Sequence, residues 1–140
     1  MNLSEIVKKY NKKDHGTFKE YFSTMNDNIN KNVLSDLQLN CKEINNMIDK
    51  LKNYKYVEEV DDLKYGAFIR WIVLTDTDNL ALQHAGMICN IKFTNTETII
   101  SCKNFMQKYY TIKLDECLIF QKMTDEEKIM IEMIEGNITL

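Results

Sequence analysis

The chain has 140 residues, of which 44% are hydrophobic and 28% charged, and a formal net charge of −3. That is the balance of one globular domain and not of a disordered chain. The charge gives no global electrostatic reason to bind nucleic acid or an anionic membrane, and no apolar run reaches transmembrane length.

Residues 1–56 are expected to form a helical arm. Ser4 can cap a short first helix with Ile6, Val7 and Tyr10 on one side. "DHG" at 14 to 16 then breaks the chain, and Thr17 can cap a second helix carrying Phe18, Phe22, Met25 and Ile29. The clearest periodicity follows. Leu34, Leu37, Cys41, Ile44, Ile48 and Leu51 recur at steps of three and four, which predicts one long amphipathic helix over about 31–54. Asn40, Asn45, Asn46 and Asn53 lie off that stripe. Asparagine is a poor helix former, so this helix depends on packing, either laid on its own domain or in a helical hairpin or intermolecular bundle.

After the acidic connector "YVEEVDD" the period changes to two. "LKYGAFIRWIVL" (63–74) places Ala67, Ile69, Trp71 and Val73 on one face and Phe68, Arg70, Ile72 and Leu74 on the other. Both faces are mostly apolar, as in a central strand covered on two sides. In "HAGMICNIKF" (84–93), Ala85, Met87, Cys89, Ile91 and Phe93 alternate with His84, Gly86, Ile88, Asn90 and Lys92. "TIISCK", "YYTIKL" and "CLIFQKM" supply three more strands. Thr124 and Glu127 make a T-x-x-E capping box for a last helix ended by Gly136.

The expected fold is therefore α+β: N-terminal helices, a small five-stranded antiparallel β-barrel or strongly bent sheet over 63–123, and a short C-terminal helix, 124–136, packed on it. By strand count and length, SH3/Sm-like barrels are the nearest layout, and layout does not fix function.

The sequence carries no catalytic or metal-binding signature. Asp76 and Asp78 open like a calcium loop, but Leu80 and Ala81 stand where a ligand and a glycine are needed. His84, Cys89, Cys102 and Cys117 lack the close pairs of a structural zinc site, and Cys89 and Cys102 read as small core residues. There is no GxSxG, P-loop or GxGxxG. No catalytic residue, metal or cofactor is expected, and the chain does not read as an enzyme. The cysteines form no CxxC pair and the charged N-terminus has no secretory core, so free thiols in a reducing, cytoplasmic setting are expected.

The run "LKYGAFIRWI … LQHAGMI … ISCKN … YYTIKLDECLIFQKMTDEE" resembles small proteins of large nucleocytoplasmic DNA viruses, over Leu63 to Glu127. The second strand has Ala85-Gly86 where that family's pattern has Gly-Gly, and the helical N-terminus has no counterpart in it. The resemblance implies a non-enzymatic viral protein, a virion component or a resident of the host cytoplasm, and transfers no catalytic residues.

Two classes of function remain. The first is a protein–protein assembly module that binds a partner or itself through the arm, using Leu34, Leu37, Ile44, Ile48 and Leu51, with no membrane involved. The second is a single-stranded nucleic-acid binder using Lys103, Lys108, Tyr109 and Lys113, with Phe105 nearby. Residues 63–123 hold seven bases and five acids, +2, which is weak for an electrostatic footprint. Arg70 and Trp71, the only arginine and only tryptophan, have a structural or partner role. On a partly buried face a guanidinium needs acceptors, so Arg70 is expected to face the arm and to meet Asp62, Glu116 or backbone carbonyls there.

Overall fold

A computed structural model describes residues 16–134. The chain forms helix α1 (Gly16–Leu34), helix α2 (Cys41–Lys50) and strands β1 (Tyr54–Tyr56), β2 (Phe68–Val73), β3 (Gly86–Phe93), β4 (Thr98–Lys103), β5 (Tyr109–Lys113) and β6 (Cys117–Lys122). Helix α3 (Asp125–Ile134) closes it. The first helix expected from Ser4 and the stop expected at Gly136 lie outside the described residues.

The architecture is α+β with one six-stranded antiparallel sheet of order β1-β6-β2-β3-β4-β5. The sheet differs from expectation in two ways. The strands number six because "YKY", assigned to the arm, pairs with β6 as β1. The sheet is open and not a closed barrel, since β1 and β5 stand at its two ends. It is strongly bent all the same. The rings of Trp71 on β2 and Tyr110 on β5 lie 6.0 Å apart. In a flat sheet strands three places apart would be about 14 Å apart.

The long helix expected over about 31–54 is broken. "SDLQLN" interrupts it: Leu37 N–H donates to Leu34 O, and Asn40 starts a new helix. The Asn40 side chain accepts from Glu43 N–H at 2.8 Å while the Glu43 carboxylate accepts from Asn40 N–H, a reciprocal capping box that ends any continuity with α1. The inward face of α1 is partly polar. Ile29 is 44% exposed, whereas Asn26 and Asn30 are buried. Their side-chain amides donate to Tyr54 O at 3.0 and 3.2 Å, so polar residues occupy the inward positions to satisfy a strand carbonyl.

The core lies on both faces of the sheet. The concave face gathers Val57, Leu63, Ile69, Trp71, Ile88, Ile100, Cys102, Ile112 and Ile119. The other face packs Ile72 and Phe120 against Leu34, Met47, Ile48 and Leu51 of the helical segment. Strand β2 is thus covered on both sides, with the alternation of 63–74 as expected. Strand β3 breaks its alternation. A register shift between Ile88 and Asn90 puts Ile88 and Ile91 on the same side and leaves Cys89 exposed, so only Cys102 is the core thiol expected of the pair. Burial pushes the Cys102 thiol up to about 11, followed in size by the effect of Cys89.

Gln121 is 95% buried and holds the chain over the concave core, accepting from Lys64 N–H and donating to Asp62 O, both at 2.9 Å. The expected Thr124–Glu127 capping box is present: Glu127 N–H donates to Thr124 Oγ1 at 3.1 Å and Thr124 N–H donates to the Glu127 carboxylate at 3.3 Å. Glu127 also meets Lys64 Nζ at 3.1 Å, which ties α3 to the segment before β2.

Candidate functional site

The helices cover β1, β6 and β2, and no residue of β3, β4 or β5 belongs to their shared core. On the non-concave side these three strands present cross-strand rows fixed by register: Met87–Lys103–Tyr109, Asn90–Ser101–Thr111 and Lys92–Ile99–Lys113. Three of the four residues proposed for nucleic acid therefore share one face, Lys103, Tyr109 and Lys113, and Lys92 joins them. Lys108 stands at the mouth of the β4–β5 turn. Lys103 Nζ lies 5.9 Å from the Tyr109 ring centroid, within cation–π range. Lys113 pairs with Glu97 at 3.2 Å, and that hydrogen bond, then the charges of Glu97 and Glu116, holds its ammonium above the usual lysine range.

The β4–β5 turn is built around Asn104. Its side-chain oxygen accepts from Met106 N–H at 2.9 Å and from Lys108 N–H at 3.0 Å. Its backbone N–H donates to Lys108 O and its carbonyl accepts from Gln107 N–H, each at 3.0 Å. Gln107 completes the three-residue loop with φ 66°, the left-handed position such hairpins need. The turn is therefore fixed in shape, and what it displays is apolar: Phe105 is 87% exposed and Met106 70%. Tyr109 and Tyr110 beside them are exposed as well. Large apolar side chains in a turn made by polar hydrogen bonding contribute nothing to the protein's own core, and grouped exposure of this kind marks a contact surface.

A second feature lies at the far side of the helices. The linker 35–40, the start of α2 and the loop after β2 enclose a cleft of about 640 Å³. Half-buried Leu37, Leu39, Leu74 and Leu80 give it an apolar floor, and exposed Asp36, Glu43 and Asp78 line its rim. Among the described residues no lysine, arginine or histidine lines it. No family model, curated protein or solved structure matches the chain.

The other proposed site residues fall elsewhere. Leu34, Ile48 and Leu51 are buried in the core with the sheet, and Leu37 and Ile44 are half-buried against it. Three of the five therefore have little or no surface to give a partner, because the stripe is laid on its own sheet, one of the two coverings expected, and not on a second chain. Leu37 alone of the set lines the cleft. Trp71 is buried on the concave face. Arg70 lies on the helix-covered side, as its alternation with Ile72 requires, and its Nε donates to Gln83 O at 3.0 Å. Its partner is a carbonyl and not a carboxylate; its charge also reaches Tyr54, whose phenol burial pushes up while Arg70 draws it partly back. Replacing Arg70 with lysine removes the Nε–H at that position. The expected loss is about 1 kcal/mol in urea unfolding, below the roughly 1.5–3 kcal/mol of a charged hydrogen bond because the contact is exposed. An unchanged midpoint would show that the carbonyl contact adds nothing.

Met106 and the cleft were not anticipated from sequence. "KNFMQK" does carry a signal, two large apolar residues in a turn between lysines, where turn chemistry favours small or polar residues. The cleft has none, since its lining comes from three separated segments. Among the described residues no three His, Cys, Asp or Glu side chains converge as metal ligands, and no helix is long and apolar enough to cross a membrane.

Proposed function

We propose that the protein is a non-catalytic protein–protein interaction module that assembles with its partner through the β4–β5 hairpin. The observation that carries this reading is the exposed Phe105–Met106 pair on a turn whose backbone is fixed by Asn104. A fixed loop loses little conformational freedom on binding, and exposed aromatic and methionine side chains are what interface centres use. The sheet is the scaffold and the hairpin the contact. Kinship with SH3/Sm-like proteins is part of the proposal and rests on strand order, with a short 3-10 turn, Leu114–Glu116, ahead of β6. The resemblance to small proteins of nucleocytoplasmic DNA viruses supplies the proposed setting, a virion component or a protein of the host cytoplasm.

The test places a photo-crosslinking residue at position 105 and, as a control, at exposed position 49 in the cells or particles that contain the protein. Discrete adducts at 105, absent at 49 and lost with Met106→Asp, are the expected result. Equal labelling at both positions would remove the hairpin from consideration.

The shared face of Lys92, Lys103, Lys113 and Tyr109 favours a second reading, single-stranded nucleic-acid binding. Its mark is binding of a labelled oligonucleotide at low salt that weakens as salt rises and is lost with Lys108→Glu and Lys113→Glu together. No binding at low salt, where phosphate contacts are strongest, would end it.

A further inference from the structure

The hairpin tip and the acidic cleft are opposite in charge and alike in apolar character. Phe105 and Met106 stand between Lys103 and Lys108, and no acid lies from 103 to 109. The cleft offers a leucine floor inside a rim of Asp36, Glu43 and Asp78. We infer that the tip of one copy docks in the cleft of a second, so that the chain associates head to tail. This inference rests on the assembly reading and names its partner.

Four observations carry it. The match is double, apolar on apolar and lysine on carboxylate, which is the arrangement that sets specificity and orientation at an interface. The cleft, at about 640 Å³, is in the range that takes a ligand-sized group, and two adjacent side chains are such a group. The turn is held by Asn104 in the shape it displays, so docking needs little ordering. Finally, Phe105 is 87% exposed, so the tip does not sit in its own chain's cleft and is open to the cleft of another molecule. A second copy always brings one at the same concentration.

The geometry is heterologous: each copy has one tip and one cleft on different parts of the fold. Such contacts build rings or open chains and not closed pairs. A single tip buries less than the roughly 1,000 Å² of a stable interface, so association is weak and driven by concentration. The lysine–carboxylate component makes it sensitive to salt.

Sedimentation velocity on the full chain, from roughly 10 to 500 µM at low salt, tests this over the range expected of a weak contact. Two variants are needed, a tip variant, Phe105→Asp with Met106→Asp, and a cleft variant, Asp36→Lys with Asp78→Lys. All four positions are exposed, so folding should survive, and circular dichroism checks it. Wild type should associate with rising concentration and dissociate with added salt, and each variant alone should stay monomeric. An equimolar mixture should then form a one-to-one dimer and nothing larger, because the pair retains one intact tip and one intact cleft. A monomeric wild type, a tip variant that still associates, or a mixture that stays monomeric would each overturn the inference. Crosslinking at position 105 to a different protein, with no self-association, would overturn it too while leaving the interaction-module reading intact.

Discussion

Replacing Leu51 with alanine should lower the unfolding free energy of the whole domain by about 3 kcal/mol. Leu51 is fully buried where the helical segment meets the sheet, in one cluster with Leu34, Met47, Ile48, Ile72 and Phe120. Truncating a leucine in such a site costs about 2–5 kcal/mol, the transfer loss plus the cavity left behind. The position is informative because Leu51 belonged to the stripe expected to bind a partner. An arm that only docks elsewhere would leave the sheet's stability unchanged when Leu51 is cut back. Trp71, the only tryptophan, lies on the opposite, concave face and reports on the sheet alone. Its fluorescence and the far-UV circular dichroism of the helices should shift together in denaturant, as one two-state transition. A helical signal that weakens while the Trp71 midpoint holds would show that the helices are not part of the sheet's cooperative unit.

The second large effect is expected at Gln121, and it should depend on pH. Its amide both accepts from Lys64 N–H and donates to Asp62 O, and it is 95% buried. Gln121→Glu keeps the shape but aims a carboxylate at the Asp62 carbonyl, with a loss of about 3 kcal/mol at neutral pH. Protonating that glutamate restores the donor, and both bonds can form again. Desolvation and the facing carbonyl raise its folded-state pKa above the ordinary glutamate value of about 4.3. The folded state therefore takes up a proton before the unfolded state does. The deficit should shrink as pH falls through the folded pKa and reappear as pH rises. Gln121→Leu, which cannot be rescued this way, should show a deficit that stays flat over the same range. Matching pH profiles for the two variants would mean that the paired hydrogen bonds do not set the stability here.

The sheet was the more legible part of the sequence. Period-two alternation located β2, β4, β5 and β6, because each buries one residue in two against the concave core, and the two-sided apolar pattern of 63–74 identified the most covered strand. It failed at β3, where one extra residue at Cys89 reverses inside and outside and leaves no mark in composition. The helical segment was less legible. Spacing of the stripe survives a break between helices when both pack on the same sheet, so steps of three and four could not reveal the turn at 35–40. Asn40 and Glu43 could have, as an N-x-x-E capping box hidden inside a periodic run. In α1, inward asparagines defeat any reading by hydrophobicity, since they are placed by a strand carbonyl and not by apolar contact. Of the site, Lys103, Tyr109 and Lys113 were visible in β4 and β5, as residues of one parity. The cleft was not, for its floor is assembled from leucines that look like ordinary core until the fold brings them together.

The two margins of the sheet are not alike. At β1, α1 lies alongside and Asn26 and Asn30 hold the Tyr54 carbonyl. At β5, the described residues supply no further strand, and Tyr109, Tyr110 and Thr111 are exposed. A strand that approaches β1 meets α1 and a Tyr54 backbone already bonded on both sides, whereas among the described residues no strand lies beyond β5. Extension of the sheet is therefore one-sided. Two copies meeting through β5 would leave only guarded margins outward, so lateral growth by this route would end at a pair and could not continue into a fibre.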